Sequence, residues 1–165
     1  MNIILIGMPG SGKSTVGVVL AKLLGMHFCD TDLVLQQHCG KKLQEIIRTE
    51  GDAAFFRHEA EVLATLEARD TVIATGGSAV YADRAMQHLK ADGKCVYLRV
   101  SEAEIERRLA NFSDRGVVIA DGMTLADLYA ERIPLYEKYA DIAVSAEEGT
   151  VWDTARRITE ALRAR

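Results

Sequence analysis

The stretch Met1–Thr15, MNIILIGMPGSGKST, determines the fold expected for this 165-residue chain. Asn2–Ile6 is a short apolar run rich in β-branched residues, which predicts a buried strand. The run breaks at Gly7, and from there the chain reads G-x-x-x-x-G-K-S. A predicted strand that leads through this pattern into a helix is the context required of a phosphate-binding loop, or P-loop.

The residue types of the P-loop suit a polyphosphate. Gly10 and Gly12 leave the backbone N–H groups open to phosphate oxygens and permit turns with positive φ. The following helix is expected to start at about Lys13 and to direct its positive N-terminal end at the phosphates. Lys13 would reach the β- and γ-oxygens, and the Ser14 hydroxyl is available to Mg²⁺. The sequence therefore predicts a nucleoside triphosphate site. Its contacts are Gly10, Ser11, Gly12, Lys13, Ser14 and Thr15.

Composition predicts a single globular domain over residues 1–165. Hydrophobic residues make up 48% of the chain and charged residues 27%. No apolar run is long enough for a transmembrane helix, and the N-terminus lacks the pattern of a signal peptide. The net charge of −4, without a basic tract, lacks the signature of nucleic-acid binding. The three cysteines are widely spaced, which favours free thiols. We expect a cytoplasmic monomer without nucleic-acid or membrane partners.

Strand-like and helix-like segments alternate along the chain. Strands after the first are predicted at 26–29, 71–75, 94–100 and 141–144. The helices between them include a long one over 51–69 and one over 124–138, which Pro134 is expected to kink or break. This alternation predicts an α/β fold with a parallel sheet covered by helices on both faces.

Three polar segments follow predicted strands directly. They are the P-loop, the segment around Asp32, and Gly76–Ser78. Ligands of parallel α/β sheets bind beyond the carboxyl ends of the strands, so these segments should converge in one cleft. Residues 111–123, NFSDRGVVIADGM, have no hydrophobic period and many turn residues. A segment of this kind predicts a functional loop, here a mobile lid in which Arg115 is the only arginine.

The motifs occur in an order that resembles the shikimate kinases, within the nucleoside monophosphate kinase-like group of P-loop proteins. That order is the P-loop, Asp30-Thr31-Asp32, a segment with Phe and Arg near 55–59, Gly76-Gly77, and Arg132–Tyr136 with the sequence RIPLY. The resemblance covers essentially the whole chain. It implies a three-layer αβα fold with a five-stranded parallel sheet, and ATP with Mg²⁺ as the phosphoryl donor. The implied reaction is phosphorylation of the 3-hydroxyl of shikimate, a step in aromatic amino acid biosynthesis.

The resemblance also implies roles on the donor side. Asp30 would support the magnesium ion together with Ser14. Arg115 would extend from the lid onto the phosphates, next to Lys13. Arg108 would pack beside the adenine.

On the acceptor side, the resemblance assigns binding to helices within about 32–69. Asp32 would bind the acceptor hydroxyl and act as the base. Gly76 and Gly77 would lie under the acceptor, and Arg132 would bind its carboxylate.

Two acceptor-side positions depart from the family pattern. The family has Phe-Arg-x-x-Glu, in which the arginine helps to bind the acceptor carboxylate. Here Phe55 and Glu59 match, but Phe56 occupies the arginine's position. Arg57 follows one residue later, turned by about 100° around a helix. The family's Gly-Gly-Gly ends in Ser78 instead. We therefore treat Arg57 and Ser78 as candidate acceptor-binding residues.

Four functions remain open at this point. The first is a shikimate kinase, and the second is a kinase of the same fold for another small polyol or hydroxy acid, which Phe56 and Ser78 motivate. The third is a nucleotide-binding module without transfer activity. Such a module needs no base such as Asp32 beside the γ-phosphate. The fourth is a nucleoside monophosphate kinase, whose base-recognising segment is usually longer and more polar than 33–69.

Overall fold

A computed structural model describes residues 1–110 and 123–164 of the chain. These residues form five strands: β1 Asn2–Ile6, β2 His27–Asp30, β3 Thr71–Ala74, β4 Gly93–Arg99 and β5 Ile142–Ser145. The helices are α1 Lys13–Leu24, α2 Thr31–Cys39, α3 Leu43–Glu50, α4 Asp52–Thr65, α5 Asp83–Ala91, α6 Glu102–Ala110, α7 Leu125–Tyr139 and α8 Val151–Arg163. A short 3₁₀ helix covers Ala79–Tyr81.

The five strands form one parallel sheet in the order β2-β3-β1-β4-β5. The predicted α/β fold with a five-stranded parallel sheet is therefore confirmed. From β1 the chain moves to β2 at one edge, and from there it returns through β3 towards β5. Because parallel crossovers are right-handed, the reversal places α1 on one face and the later crossover helices on the other. Helix α8 packs against α1.

The core explains why the central strands are continuous apolar runs. Every residue of β1 and β3 is buried, as expected for strands covered on both faces. A second, smaller core lies among helices α2, α3 and α4, between β2 and β3 in sequence. It consists of Leu35, Ile46, Phe55 and Val62. These three helices therefore pack as a unit beside the sheet.

Two helix predictions are corrected by the structure. The helix expected over 51–69 ends at Thr65, because Leu66 takes an extended conformation that stops the helical hydrogen bonds. Of the kink or break expected at Pro134, the break is wrong, since α7 continues through Pro134 to Tyr139. Buried Tyr136 and Tyr139 anchor the part beyond the proline, so packing compensates for the lost backbone donor.

Residues 111–122, which hold Arg115 and nearly all of the expected lid, lie outside the described residues. Within the described part of the chain, no helix is both long and apolar enough to cross a membrane.

Candidate active site

A cleft of about 830 Å³ opens at the carboxyl ends of β1 and β3. These neighbouring strands continue towards opposite faces of the sheet, which leaves a crevice between their loops. The predicted residues that line the cleft are Gly10, Gly12, Lys13, Ser14, Thr15, Asp30, Asp32, Gly76, Gly77, Ser78 and Arg132. The expected convergence of the three polar segments is therefore confirmed.

The P-loop has the backbone geometry that its glycines predict. Gly10 and Gly12 have φ of 80° and 92°, and α1 begins directly after Gly12. The Lys13 ammonium is buried and donates to the carbonyl oxygens of Gly7 at 2.8 Å and Met8 at 2.9 Å. Burial lowers the pKa of Lys13 to about 8, although the nearby Asp32 carboxylate opposes the shift. The lysine is thus a desolvated cation within the cleft wall.

Two oxygen-bearing side chains meet beside the start of α1. The Ser14 hydroxyl donates to Asp30 Oδ2 at 2.6 Å. The other carboxylate oxygen of Asp30 accepts from the backbone N–H of Asp32 at 3.0 Å and so caps α2. This cap fixes the carboxylate, and a hydroxyl and a carboxylate oxygen therefore face the cleft together. Hard oxygen ligands of this kind fit Mg²⁺.

Ser11 and Arg108 are not among the residues that line the cleft. Ser11 is buried, and its hydroxyl has no hydrogen-bond partner among the described residues. The Arg108 guanidinium donates to the carbonyl oxygens of Gly10 at 3.3 Å and Ala146 at 2.8 Å, and it pairs with Glu104 at 2.6 Å. Arg108 therefore ties the P-loop to the segment that follows β5.

Gly76 forms a point of close approach between the strand ends and α4. A Cβ at Gly76 would lie 2.2 Å from Glu59 Oε1 and 3.1 Å from Asp32 Oδ1. Both carboxylates therefore face the same small volume, which only a glycine leaves free.

The buried acid Glu59, which lies against Gly76, is the main feature that sequence analysis missed. Glu59 and Ser78 are both buried, and the Ser78 hydroxyl donates to Glu59 Oε2 at 2.5 Å. Glu59 Oε1 has no hydrogen-bond partner among the described residues. Burial raises the pKa of Glu59 to about 7, against the lowering effects of Ser78 and Arg132. The match of Glu59 to the family's motif was the one available signal, because its burial depends on how α4 packs.

Arg132 is the cleft's buried guanidinium, with only 2% of its surface exposed. Its Nε donates to the Tyr81 hydroxyl at 3.1 Å, and its Cζ lies 5.2 Å from the centre of the Tyr81 ring. The Tyr81 hydroxyl donates in turn to Glu131. No carboxylate of residues 1–110 or 123–164 is within ion-pair distance of Arg132. Arg132 is therefore a buried positive charge held by a tyrosine.

The structure does not bring Arg57 into the cleft. Arg57 is exposed on α4 and is absent from the lining residues. Phe56, one position earlier, packs edge-on against Phe55 and Tyr81, with ring centres 5.9 Å and 5.7 Å apart. This packing fixes the rotation of α4 and turns Arg57 outwards.

Three polar residues of α2 and the start of α3 also line the cleft, and the sequence analysis did not select them. They are Gln36, Lys42 and Gln44. Their approach to the cleft depends on how α2 and α3 pack against α4, for which the sequence has no local signal.

The comparisons with known proteins agree on one family. A family model described as shikimate kinase matches residues 9–163. A shikimate kinase of Pseudomonas aeruginosa is 40% identical over 99% of this chain and 96% of its own length. The solved shikimate kinase of Acinetobacter baumannii in complex with shikimate is 31% identical, with a TM-score of 0.89 over 99% of this chain and 93% of that one. The solved Aquifex aeolicus shikimate kinase is 30% identical, with a TM-score of 0.83 over 99% of this chain and 97% of that one.

Proposed function

The chain belongs to the shikimate kinase family of ATP-dependent kinases, and we propose on that basis that it transfers the γ-phosphoryl group of ATP to the 3-hydroxyl of shikimate. The observation that carries this proposal is Arg132. Arg132 is a buried cation without a carboxylate partner among the residues that the structure describes, which is costly, and an anionic ligand in the cleft would offset that cost. The shikimate carboxylate supplies such a charge, whereas a neutral polyol does not.

The donor side is proposed to bind ATP along the P-loop. Backbone N–H groups from Gly10 to Thr15 would surround the phosphates at the positive end of α1. Lys13 would exchange its two carbonyl partners for the β- and γ-oxygens, whose negative charge would further favour the protonated lysine. Arg108 donates to the carbonyl oxygen of Ala146, the residue directly before 147–150. We propose that segment 147–150 lies on the adenine side.

Ser14 and Asp30 would hold the magnesium ion, Asp30 through water. When bound, Mg²⁺ neutralises charge that builds up on the phosphate oxygens. The 2.6 Å contact between the two side-chain oxygens supports this assignment, because both already face one point of the cleft.

Asp32 is proposed as the group that receives the acceptor proton. The acceptor oxygen would form a bond to the γ-phosphorus while the bond from that phosphorus to the bridging oxygen of ADP breaks. The hydroxyl proton would pass to the Asp32 carboxylate. Positioning and dispersed positive charge are the main demands of such a transfer, and Lys13 with the lid residue Arg115 would contribute that charge.

The acceptor would lie over Gly76 and Gly77, with its carboxylate on Arg132. Gly77 has no room for a side chain, since a Cβ there would lie 2.8 Å from Pro9 Cδ and 3.0 Å from Arg132 Nη1. Ser78 would act from beneath by holding Glu59. Arg57 would need a movement of α4 to reach the carboxylate, and we do not include it in the acceptor site.

We also propose a cytoplasmic monomer without nucleic-acid or membrane partners. Among the described residues named above as contacts of ATP, Mg²⁺ or the acceptor, all except Ser11 and Arg108 line one cleft of a single chain, which supports a reaction that needs no second copy. The net charge of −4 is unfavourable for binding to nucleic acid or anionic lipid. Size-exclusion chromatography with light scattering would test the monomer, and a mass of twice 18.1 kDa would contradict it.

The experiment that tests the function is a coupled assay of ADP release with Mg²⁺, with and without shikimate. We expect a saturable, shikimate-dependent rate and a phosphorylated product detectable by mass spectrometry. Lys13→Ala should lose this rate, and Lys22→Ala, at an exposed position of α1, should keep it. Activity with another hydroxy acid such as gluconate, but not with shikimate, would favour the alternative acceptor. ATP binding without any transfer would indicate a binding module.

A further inference from the structure

A second cluster of reactive side chains lies outside the cleft, where α2 and α4 face each other. His38 is near the end of α2, and His58 and Glu61 lie one turn apart on α4. Each of these residues offers one potential ligand atom, and the three atoms lie within 4.8 Å of one another. In the part of the chain that the structure describes, this is the one group of three or more His, Cys, Asp or Glu residues that converges in this way. None of the three lines the cleft.

The hydrogen bond of His58 determines which of its nitrogens is available. Its Nε2 lies 3.0 Å from Glu50 Oε2, and Glu50 Oε1 accepts from Lys41 at 2.7 Å. An ionised carboxylate only accepts, so His58 Nε2 carries the proton and the neutral ring keeps its lone pair on Nδ1. That Nδ1 is buried and has no hydrogen-bond partner among the described residues.

This arrangement has the form of a metal-ligating histidine. Such a histidine usually donates its second ring N–H to a carboxylate, which fixes the tautomer and the orientation of the ring. Glu50 has that relationship to His58, and Lys41 holds Glu50 in place. A buried lone pair without a donor costs free energy, and a bound cation would satisfy it. The unpartnered Nδ1 and the carboxylate on Nε2 are thus two observations beyond the mere proximity of the three residues.

We propose that His38, His58 and Glu61 form a site for a divalent transition-metal ion of the zinc class, held between α2 and α4. Two imidazoles and one carboxylate favour Zn²⁺, Co²⁺, Ni²⁺ or Cu²⁺ over Mg²⁺, which prefers oxygen ligands only. Three protein ligands leave a position for water. Ligand bonds of about 2.0–2.2 Å require the three atoms to move closer together. Rotation of the exposed His38 and Glu61 side chains permits this.

The metal would connect two helices that both contribute to the acceptor side of the cleft. Helix α2 carries Asp32 in its first turn, and α4 carries Glu59 immediately after His58. A bound ion would therefore restrict the separation of α2 and α4. Zinc binding itself is independent of the acceptor's identity and of the proposed reaction.

The test is a calorimetric titration of Zn²⁺ into chelator-treated, untagged full-length protein without Mg²⁺ or ATP. We expect one equivalent per chain, a rise in Tm, and a visible absorption band when Co²⁺ replaces Zn²⁺. His38→Ala and His58→Ala should each weaken binding at least tenfold, and Glu50→Gln by about 10–100-fold. His27→Ala is the matched control, since His27 is exposed on β2, and it should leave binding unchanged.

Three outcomes would overturn the proposal. They are no binding up to millimolar zinc, binding that survives His38→Ala combined with His58→Ala, and loss of binding in Cys39→Ser with both histidines intact. Circular dichroism would check that each variant is folded. His38 is exposed at the end of its helix, so His38→Ala should keep the native structure and remain informative if His58→Ala does not.

Discussion

The hydroxyl of Ser78 donates a hydrogen bond of 2.5 Å to Oε2 of Glu59, at a position where the family pattern has glycine. Both residues are buried, and Glu59 Oε1 faces the site of the missing Cβ of Gly76. The Ser78 hydroxyl therefore binds a buried acid rather than the ligand. The serine in place of the third glycine therefore adds a buried hydrogen bond next to the acceptor site, and its hydroxyl is engaged with Glu59.

Replacing Ser78 with alanine should destabilise the protein by about 1.5–3 kcal/mol at pH 8, because a buried carboxylate loses a charged hydrogen bond. The loss should be smaller at pH 5, where Glu59 is protonated. Urea unfolding at both pH values measures the effect. Ser145→Ala, at an exposed position of β5, is the control. Equal stability of wild type and Ser78→Ala at pH 8 would show that the bond contributes nothing.

Replacing Glu59 with glutamine should alter the pH dependence of stability. Burial raises the pKa of Glu59 from its ordinary 4.5 to about 7 in the folded protein. Between pH 4.5 and about 7, the folded state therefore holds a proton that the unfolded state has lost. The free energy of unfolding of the wild type should fall as the pH rises through this range. Relative to Glu59→Gln, the fall should be about 3 kcal/mol. Thermal or urea unfolding from pH 4.5 to 8 measures it, with exposed Glu67→Gln as the control. A pH-independent difference between wild type and Glu59→Gln would refute the shift.

Replacing Asp32 with asparagine should lower kcat by about 10²-fold or more, because the amide cannot take the acceptor proton. The KM for ATP should not change, since the P-loop is intact. Steady-state kinetics with both substrates separates the two effects. Asp92→Asn, exposed at the end of α5, should behave as wild type. Wild-type turnover in Asp32→Asn would remove Asp32 from the mechanism.

Replacing Arg132 with lysine should raise the KM for shikimate by about tenfold or more, because lysine keeps the charge but loses the paired donors that match a carboxylate. The KM for ATP should stay within about twofold of wild type, a difference that is below 1 kcal/mol. Arg99→Lys, at an exposed position of β4, is the matched control. An unchanged KM for shikimate would place the acceptor carboxylate elsewhere.

Phe56→Arg should lower the KM for shikimate by about tenfold, the value of one charged hydrogen bond. Phe56 packs against Tyr81, which holds Arg132, so the new guanidinium would enter beside the existing one.

Arg57→Ala should change the KM for shikimate by less than about threefold, since Arg57 points outwards. A large effect of Arg57→Ala instead would mean that α4 rotates when the acceptor binds.

Much of the fold was predictable because its signals are local. The P-loop needs residues at fixed spacing within one turn, and Gly10, Gly12 and Lys13 stand within four consecutive positions. The alternation of apolar strands and amphipathic helices predicts the parallel sheet, and that sheet brings Asp32 and Gly76 to the same edge. The positions of these residues follow from strand order and handedness, which few rules govern.

Contacts between distant segments could not be predicted in this way. Ser78 and Glu59 are 19 residues apart, and Arg132 and Tyr81 are 51 apart. The rotation of α4, set by Phe56 against Tyr81, decides that Arg57 faces outwards.

By itself, then, the sequence determined the nucleotide loop, the parallel sheet and the set of residues at its carboxyl edge. Only the tertiary structure decided that Glu59 is buried, that Ser78 serves it, and that Arg132 is a buried cation without a carboxylate partner among the described residues. The reason is physical: burial and desolvation depend on which surfaces meet after folding, whereas turns and helix starts depend on neighbours along the chain.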